Sequence, residues 1–215
     1  MATLNTAVPP ASTFRRRGFT LTEMAVVLVI VSLLIGGMIL PLAAQQDIRN
    51  VAATQKQIVD AIEALHGFAA SRSGVPYLPC PDTDGNGQED RLGADCTATE
   101  GNLPWVDLGL GRQDAWGNAL RYAVSPAFAN STGGFALLTL GTLRVCADAA
   151  CAAVVAANVP AVVFSRGKNG ANEQSPGETP PTFYDRVAAT AYDDVVAWLA
   201  APVLINRMIA AGKLP

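Results

Sequence analysis

The stretch RRRGFTLTEMAVVLVIVSLLIGGMILPLAA, Arg15 to Ala44, decides how the chain is read. Met24 to Ala44 carries no charged side chain, and at about 1.5 Å rise per residue it has the length of a bilayer core. Glu23 stands just inside its entrance. A carboxylate in hydrocarbon is costly and usually functional, so this residue needs a reason. Arg15, Arg16 and Arg17 precede the run, and the positive-inside tendency leaves residues 1–17 in the cytoplasm and sends the remainder outward. An ordinary secretory signal, cut after a small residue such as Ala44, is the competing reading. It would have an unusually long apolar region and would leave Glu23 unexplained.

Beyond Ala44 the helical pattern continues. Ile48, Val51, Ile58, Ile62 and Leu65 recur at helical spacing, with Gln55 in the one gap, and no stop signal appears before Ser71-Arg-Ser-Gly74-Val-Pro76. Residues 19–71 therefore read as one helix of roughly 80 Å, apolar all round at first and amphipathic later. Gly36, Gly37 and Pro41 mark either a kink or melting point in its first half or the simple tolerance of Gly and Pro in a membrane helix.

Composition narrows the function. The chain has 215 residues, half of them apolar, and a formal net charge of −3. Its only basic cluster sits beside the apolar run, so nucleic acid has no electrostatic footprint here. The four cysteines, Cys80, Cys96, Cys146 and Cys151, form two sequence-local pairs, and an even count after an export-type segment favours disulfides outside the cytoplasm. Three connectivities are open, and Cys80–Cys96 with Cys146–Cys151 is the favoured one. A bridge over the 80–96 loop would contribute roughly 3 kcal/mol. Zinc is disfavoured, because no Cys-x-x-Cys occurs and the single histidine, His66, is distant in sequence.

RRRG followed by FTLTEMAVVLVIVSLL resembles the class III signal of type IV pilins and type II secretion pseudopilins. The resemblance implies cleavage by a prepilin peptidase between Gly18 and Phe19, methylation of the Phe19 amine, and pairing of Glu23 with the Phe19 amine of a neighbouring subunit during filament assembly. A buried charge compensated between subunits would answer the question Glu23 raises. A second resemblance lies in LGRQDAWGNALRY. Asp114-x-Trp116-Gly117, with Tyr122 after it, is similar to the Asp-x-Trp-Gly motif of major pseudopilins. In physical terms Asp114 can close an Asx turn, Gly117 can take positive φ, and Trp116 can plug the groove between helix and sheet.

ALRYAV (119–124), GFALLTL (134–140), LRVCA (143–147) and PAVVFS (160–165) read as strands of an antiparallel sheet. TAYDDVVAWLAAPVLINRMIAAGKLP reads as helical, with Thr190 and Asp193 as a capping pair, Pro202 as an interruption and Gly212 as C-cap. The expected fold is thus α+β and pilin-like: a long N-terminal helix, one half in membrane and one half amphipathic, packed on a small antiparallel sheet, with a helical C-terminus. Its parts are a cleaved cytoplasmic leader (1–18), the long helix (19–71, membrane-spanning at about 24–44) and an extracytoplasmic globular domain (72–215). The chain is longer than the major pseudopilins and carries an inserted loop, PYLPCPDTDGNGQEDRLGADCTATEGNLPW, which suits a minor or specialised subunit.

Two acidic groups invite a cation. In DTDGNGQED, Asp82, Asp84, Asn86 and Asp90 hold positions 1, 3, 5 and 9 of a calcium-loop pattern, but Gly93 replaces the position-12 glutamate and Pro79 and Pro81 forbid an entering helix. A solvated acidic turn is the plainer reading. The resemblance implies a second calcium position after the Asp-x-Trp-Gly turn, at Asn169, Asn172, Glu173, Asp193 and Asp194. Lys168 intrudes there, which ranks that group below the first. Ser165, Ser175 and the aspartates form no visible nucleophile–base set with one histidine to serve them, so no enzyme is expected. The resemblance implies a prepilin held in the inner membrane with its C-terminus in the periplasm, then assembled with other pilin or pseudopilin subunits into a helical filament by a membrane assembly platform. Calcium is the one cofactor the sequence suggests. A soluble periplasmic binding module with a cleaved signal is the reading from a different class.

Overall fold

A computed structural model of the protein describes residues 18–187 and 192–215, with the side chains of 37–43 left undescribed. The basic cluster Arg15–Arg17, most of the leader, and Thr190 with its capping role lie outside the described residues. Helix α1 runs from Leu21 to Ser71 and is helical through Gly36, Gly37 and Pro41, where the sequence leaves a kink and simple tolerance both open. A proline removes one amide from the ladder, and a helix this long keeps the rest. Among the described residues no helix is long and apolar enough to cross a membrane; the predicted 24–44 span includes the undescribed side chains. The chain divides into two compact units at Gln46/Asp47.

In the second unit the buried face of α1 is Thr54, Ile58, Ala61, Leu65, Phe68 and Ala69. The stripe is rotated from the one expected: Ile48 is 70% exposed and Ile62 only partly buried. Small residues set the true face, because Thr54 and Ala61 let the backbone approach the sheet where a count of large apolar residues passes over them.

After α1 come the short strands β1 (Arg91–Leu92), β2 (Asp95–Cys96) and β3 (Glu100–Asn102), helix α2 (Trp105–Leu108), β4 (Arg121–Val124) and helix α3 (Pro126–Ala129). Strands β5 (Leu143–Cys146), β6 (Val154–Val159), β7 (Ala161–Ser165), β8 (Thr182–Tyr184) and β9 (Val195–Leu199) follow, and helix α4 (Ala201–Ala210) comes after them. One antiparallel sheet has the order β3-β4-β7-β9; a second, β6-β5-β8, has a parallel β5–β8 pair. Period-two alternation builds three layers. Tyr122, Val124, Ala161, Val163 and Leu199 face a core shared with Ile58, Leu65, Leu204 and Met208. Ala123, Val162 and Phe164 face the second sheet through Leu143, Val145, Val159 and Phe183. Every residue of β7 is buried, as a strand covered on both faces requires.

Two expectations fail here. GFALLTL is a loop: Gly134 takes φ 61 against Val75 and Pro76, Phe135 alone is buried, and Leu138 is 91% exposed. The C-terminal run is not one helix. Val195–Leu199 alternates between the two cores and forms a strand, and α4 begins only after Ala200, with Pro202 in its first turn. Proline there starts a helix instead of interrupting one. Gly212, at φ 68, closes α4 with two bonds of a Schellman turn, Gly212 N to Ile209 O at 2.9 Å and Lys213 N to Met208 O at 2.8 Å. Both disulfides take the expected pairing, Cys80–Cys96 and Cys146–Cys151. Within the first of these loops the Arg91 guanidinium donates to the carbonyls of Ala129 (2.7 Å), Leu78 (3.1 Å) and Ala94 (3.2 Å), tying the inserted segment to its surroundings.

His66 sits where α1 meets α4, 5% exposed, with neither ring nitrogen hydrogen-bonded. Arg207 of α4 holds Glu63 in a bidentate pair beside it. Burial, and then the Arg207 charge, push the His66 pKa below its ordinary 6.5, against the opposing pull of Glu63 and the Ile62 carbonyl. Just below that pH the unfolded chain takes up a proton that the folded chain refuses. The contribution is therefore complete above about 6.5 and is lost as pH falls. Between pH 7.5 and 5.5 the melting temperature of His66→Met should fall less than that of the parent chain. Equal falls would show that this imidazole is not the acid-sensitive group.

Candidate functional site

At the N-terminus Thr20 and Glu23 form a reciprocal cap. The Glu23 amide donates to Thr20 Oγ1 at 3.2 Å, and Glu23 Oε2 accepts from the Thr20 amide and hydroxyl, each at 2.9 Å. This is a capping box, readable as Thr-x-x-Glu ahead of an apolar run, and the inter-subunit expectation overlooks it. Glu23 thus satisfies an orphan amide of its own helix and places its charge at the positive end of the helix dipole. Phe19 beside it is 81% exposed, and the apolar side chains from Leu21 to Ile35 are exposed along the helix. Among the described residues nothing covers this surface, which calls for lipid or other helices.

Residues 13–39 match the prokaryotic N-terminal methylation motif. This is the class III signal of type IV pilins and pseudopilins, and it implies a pilin-type precursor anchored in the inner membrane and processed by a prepilin peptidase. The motif ends within α1; the globular unit lies outside it. No curated protein and no solved structure matches the chain.

The Asp114 turn is built as its residue types suggest. Asp114 is nearly buried; Oδ1 accepts from the amides of Trp116 (2.9 Å) and Asn118 (2.8 Å), and Gly117 takes φ 90. Three further contacts are not legible in the sequence. Asp114 Oδ2 accepts from Ser165 of β7 at 2.5 Å, Ala115 N donates to Thr54 of α1 at 3.2 Å, and Asn118 Nδ2 donates to the Gly167 carbonyl at 2.6 Å. Trp116 walls the groove between α1 and β9 and does not fill it: with Val51, Ile58, Val59 and Val195 it borders a cavity of about 450 Å³, and its indole N–H has no partner. Tyr122 is fully buried and donates to the Pro79 carbonyl at 3.1 Å, with burial holding its pKa well above the ordinary value. That bond fixes the strand to the residue preceding Cys80.

The two acidic groups differ in their bonding. Asp82, Asp84 and Asp90 come together, but as turn formers. Asp82 accepts from the amides of Gly85 (2.6 Å) and Gly87 (3.1 Å), Asp84 from that of Asn86 (3.0 Å), and Asp90 from Thr83. Asn86 spends its own carbonyl oxygen on the Gln88 amide. The loop answers its own charge with backbone donors, which supports the plain acidic turn over a pruned calcium loop.

Glu173, Asp193 and Asp194 also converge, with one oxygen from each within 4.8 Å of the others. Here Oδ1 of Asp193 and Oδ1 of Asp194 are buried without a partner, and Asp194 is 6% exposed. Burial, with the Glu173 and Asp193 charges adding to it against hydrogen bonds from Gln174 and Glu173, pushes the Asp194 pKa up to about 6. Lys168 does not intrude. Its ammonium is bound by Asp47 of α1 at 2.7 Å. The orphaned buried oxygens distinguish this group from the first. Oxygen-only ligands with orphaned buried acceptors suit a hard divalent cation such as calcium. Asn169 braces the group by donating its amide to Asp193 (2.9 Å) and its side chain to Glu173 (2.9 Å), while Asn172 bonds Gln174 and takes no part.

Proposed function

We propose that the chain is a structural subunit of a type IV pilus-like filament, made as a prepilin, cut between Gly18 and Phe19 and methylated on Phe19, and serving as a minor pilin or as a pseudopilin of a type II secretion system. The observation that carries this is the methylation motif running directly into an exposed apolar helix with a capped carboxylate at its start. The pilin-like arrangement of the second unit, an amphipathic helix packed on an antiparallel sheet, supports it. The mechanism is assembly and not turnover. Apolar helix halves bundle, the globular units form the shell, and repeated heterologous contacts generate a helical filament. Glu23 then exchanges or shares its cap with the methylated amine of a neighbour, so that its charge is never buried alone.

Because Glu23 also caps its own helix, two substitutions separate the roles. Glutamine preserves a capping box and removes the charge. Glu23→Gln and Glu23→Ala should both be processed, and both should enter filaments poorly in a pull-down of assembled subunits. Normal incorporation of Glu23→Gln would reduce the residue to its cap.

The geometry of Glu173, Asp193 and Asp194 supports calcium as a structural ion of the globular unit, holding together the 166–173 loop and the entry to β9. Calcium must displace the proton that the raised pKa favours on Asp194, so binding weakens as pH falls through about 6. For the full chain in detergent, millimolar calcium should raise the melting temperature over a chelator control at pH 7.5, and the rise should shrink at pH 5. No shift at pH 7.5 removes the ion from the account.

A further inference from the structure

Loop 166–173 is attached at both sides. On one side it builds the acidic group. The Gly167 backbone packs so closely on Asp193 that a Cβ would collide with its backbone and carboxyl, Asn169 N donates to Asp193 Oδ2 at 2.9 Å, and Glu173 N donates to Asp194 Oδ2 at 3.4 Å. On the other side Lys168, between Gly167 and Asn169, reaches out to Asp47 of α1 at 2.7 Å. Asp47 is the first residue of the second compact unit, and Thr54 of α1 bonds the sheet side further along. The stretch of α1 from Asp47 to Val51 buries none of its apolar side chains fully, with Ile48 70% exposed. The Lys168–Asp47 pair ties the start of this stretch to the loop, with Val51 half-buried at the groove beside Trp116.

We propose that Lys168 is a positioning residue that couples cation occupancy at Glu173, Asp193 and Asp194 to the order of α1 where it enters the globular unit. The coupling rests on the reading of that acidic group as a calcium site. Three carboxylates with two orphaned buried oxygens repel one another and loosen the loop that holds them. A divalent cation cancels that repulsion and fixes Gly167 and Asn169, the two neighbours of Lys168. A lysine on a fixed backbone loses less freedom on pairing with Asp47 than one on a mobile loop, so the pair strengthens when the cation binds. By reciprocity, a well-ordered Asp47 end of the helix tightens the cation site. The cation also repels the ammonium from the carboxylates and leaves Asp47 as its nearest partner. The lysine that counts against a cation in the sequence becomes the means by which the loop reports one.

Hydrogen exchange of the full chain in detergent, with calcium chloride or with chelator, tests the coupling through peptides covering 47–57 and 166–173. Calcium should slow exchange in both. Lys168→Ala should keep the slowing at 166–173 and lose roughly a two- to five-fold share of it at 47–57, the range an exposed ion pair supports. The double reversal Asp47→Lys with Lys168→Glu should restore it, and raised salt should erode it. Unchanged calcium protection of 47–57 in Lys168→Ala would overturn the proposal while leaving the cation site standing. Absence of calcium protection at 166–173 in the parent chain would bring down the cation reading and the coupling with it.

Discussion

The globular unit depends on where the Asp114 carboxylate spends its two oxygens. One closes the turn through Trp116 and Asn118, and the other takes the hydroxyl of Ser165 on the fully buried strand β7. A carboxylate this deep is tolerated only with its lone pairs filled, and here three donors fill them. The turn so fixed presents Ala115 to Thr54 on α1 and Asn118 to Gly167 at the base of the acidic loop. Helix, sheet and loop therefore share one anchor. Its loss would remove a polar link between helix and sheet and leave Ser165 as a buried hydroxyl without an acceptor.

A second constraint governs the N-terminal unit. An exposed apolar helix headed by a carboxylate is not a stable arrangement in water. The capping box explains how the charge is held in a single chain, since Glu23 takes up the Thr20 amide and faces the positive end of its own helix. Glutamine would cap as well but would lose the attraction of a carboxylate to the positive end of the helix dipole. In the proposed filament the same charge would also meet the freed amine of a neighbouring Phe19.

Much of this is legible in the sequence, and the failures have physical causes. Arg15–Ala44 announces itself because membrane length, preceding arginines and a lone glutamate rarely coincide. The Asp114 turn is legible because aspartate and glycine at that spacing act locally. Local chemistry also pairs the cysteines. The errors arise where burial depends on distant partners. VVAWL carries apolar residues that suit either period, and only β7 beside it makes it a strand. GFALLTL has strand composition but no neighbouring strand to pair with, and its leucines stay exposed. Lys168 stands next to the acidic group in the chain, while its ammonium belongs to Asp47 on a helix 121 residues earlier. For DTDGNGQED and the later acidic group, a motif shows which carboxylates gather; it does not show that both accept backbone amides while the later one also holds buried oxygens, on Asp193 and Asp194, without a partner.

The filament reading requires the chain to be a processed prepilin. The most direct test is the intact mass and N-terminal residue of the protein recovered from membranes of cells that make it. A chain beginning at Phe19 and heavier by one methyl group is the result expected, since both changes belong to the methylation motif at 13–39. A soluble chain beginning near Gln45 would mean an ordinary signal peptide, would remove the apolar half of α1 from the mature protein, and would contradict the filament reading outright.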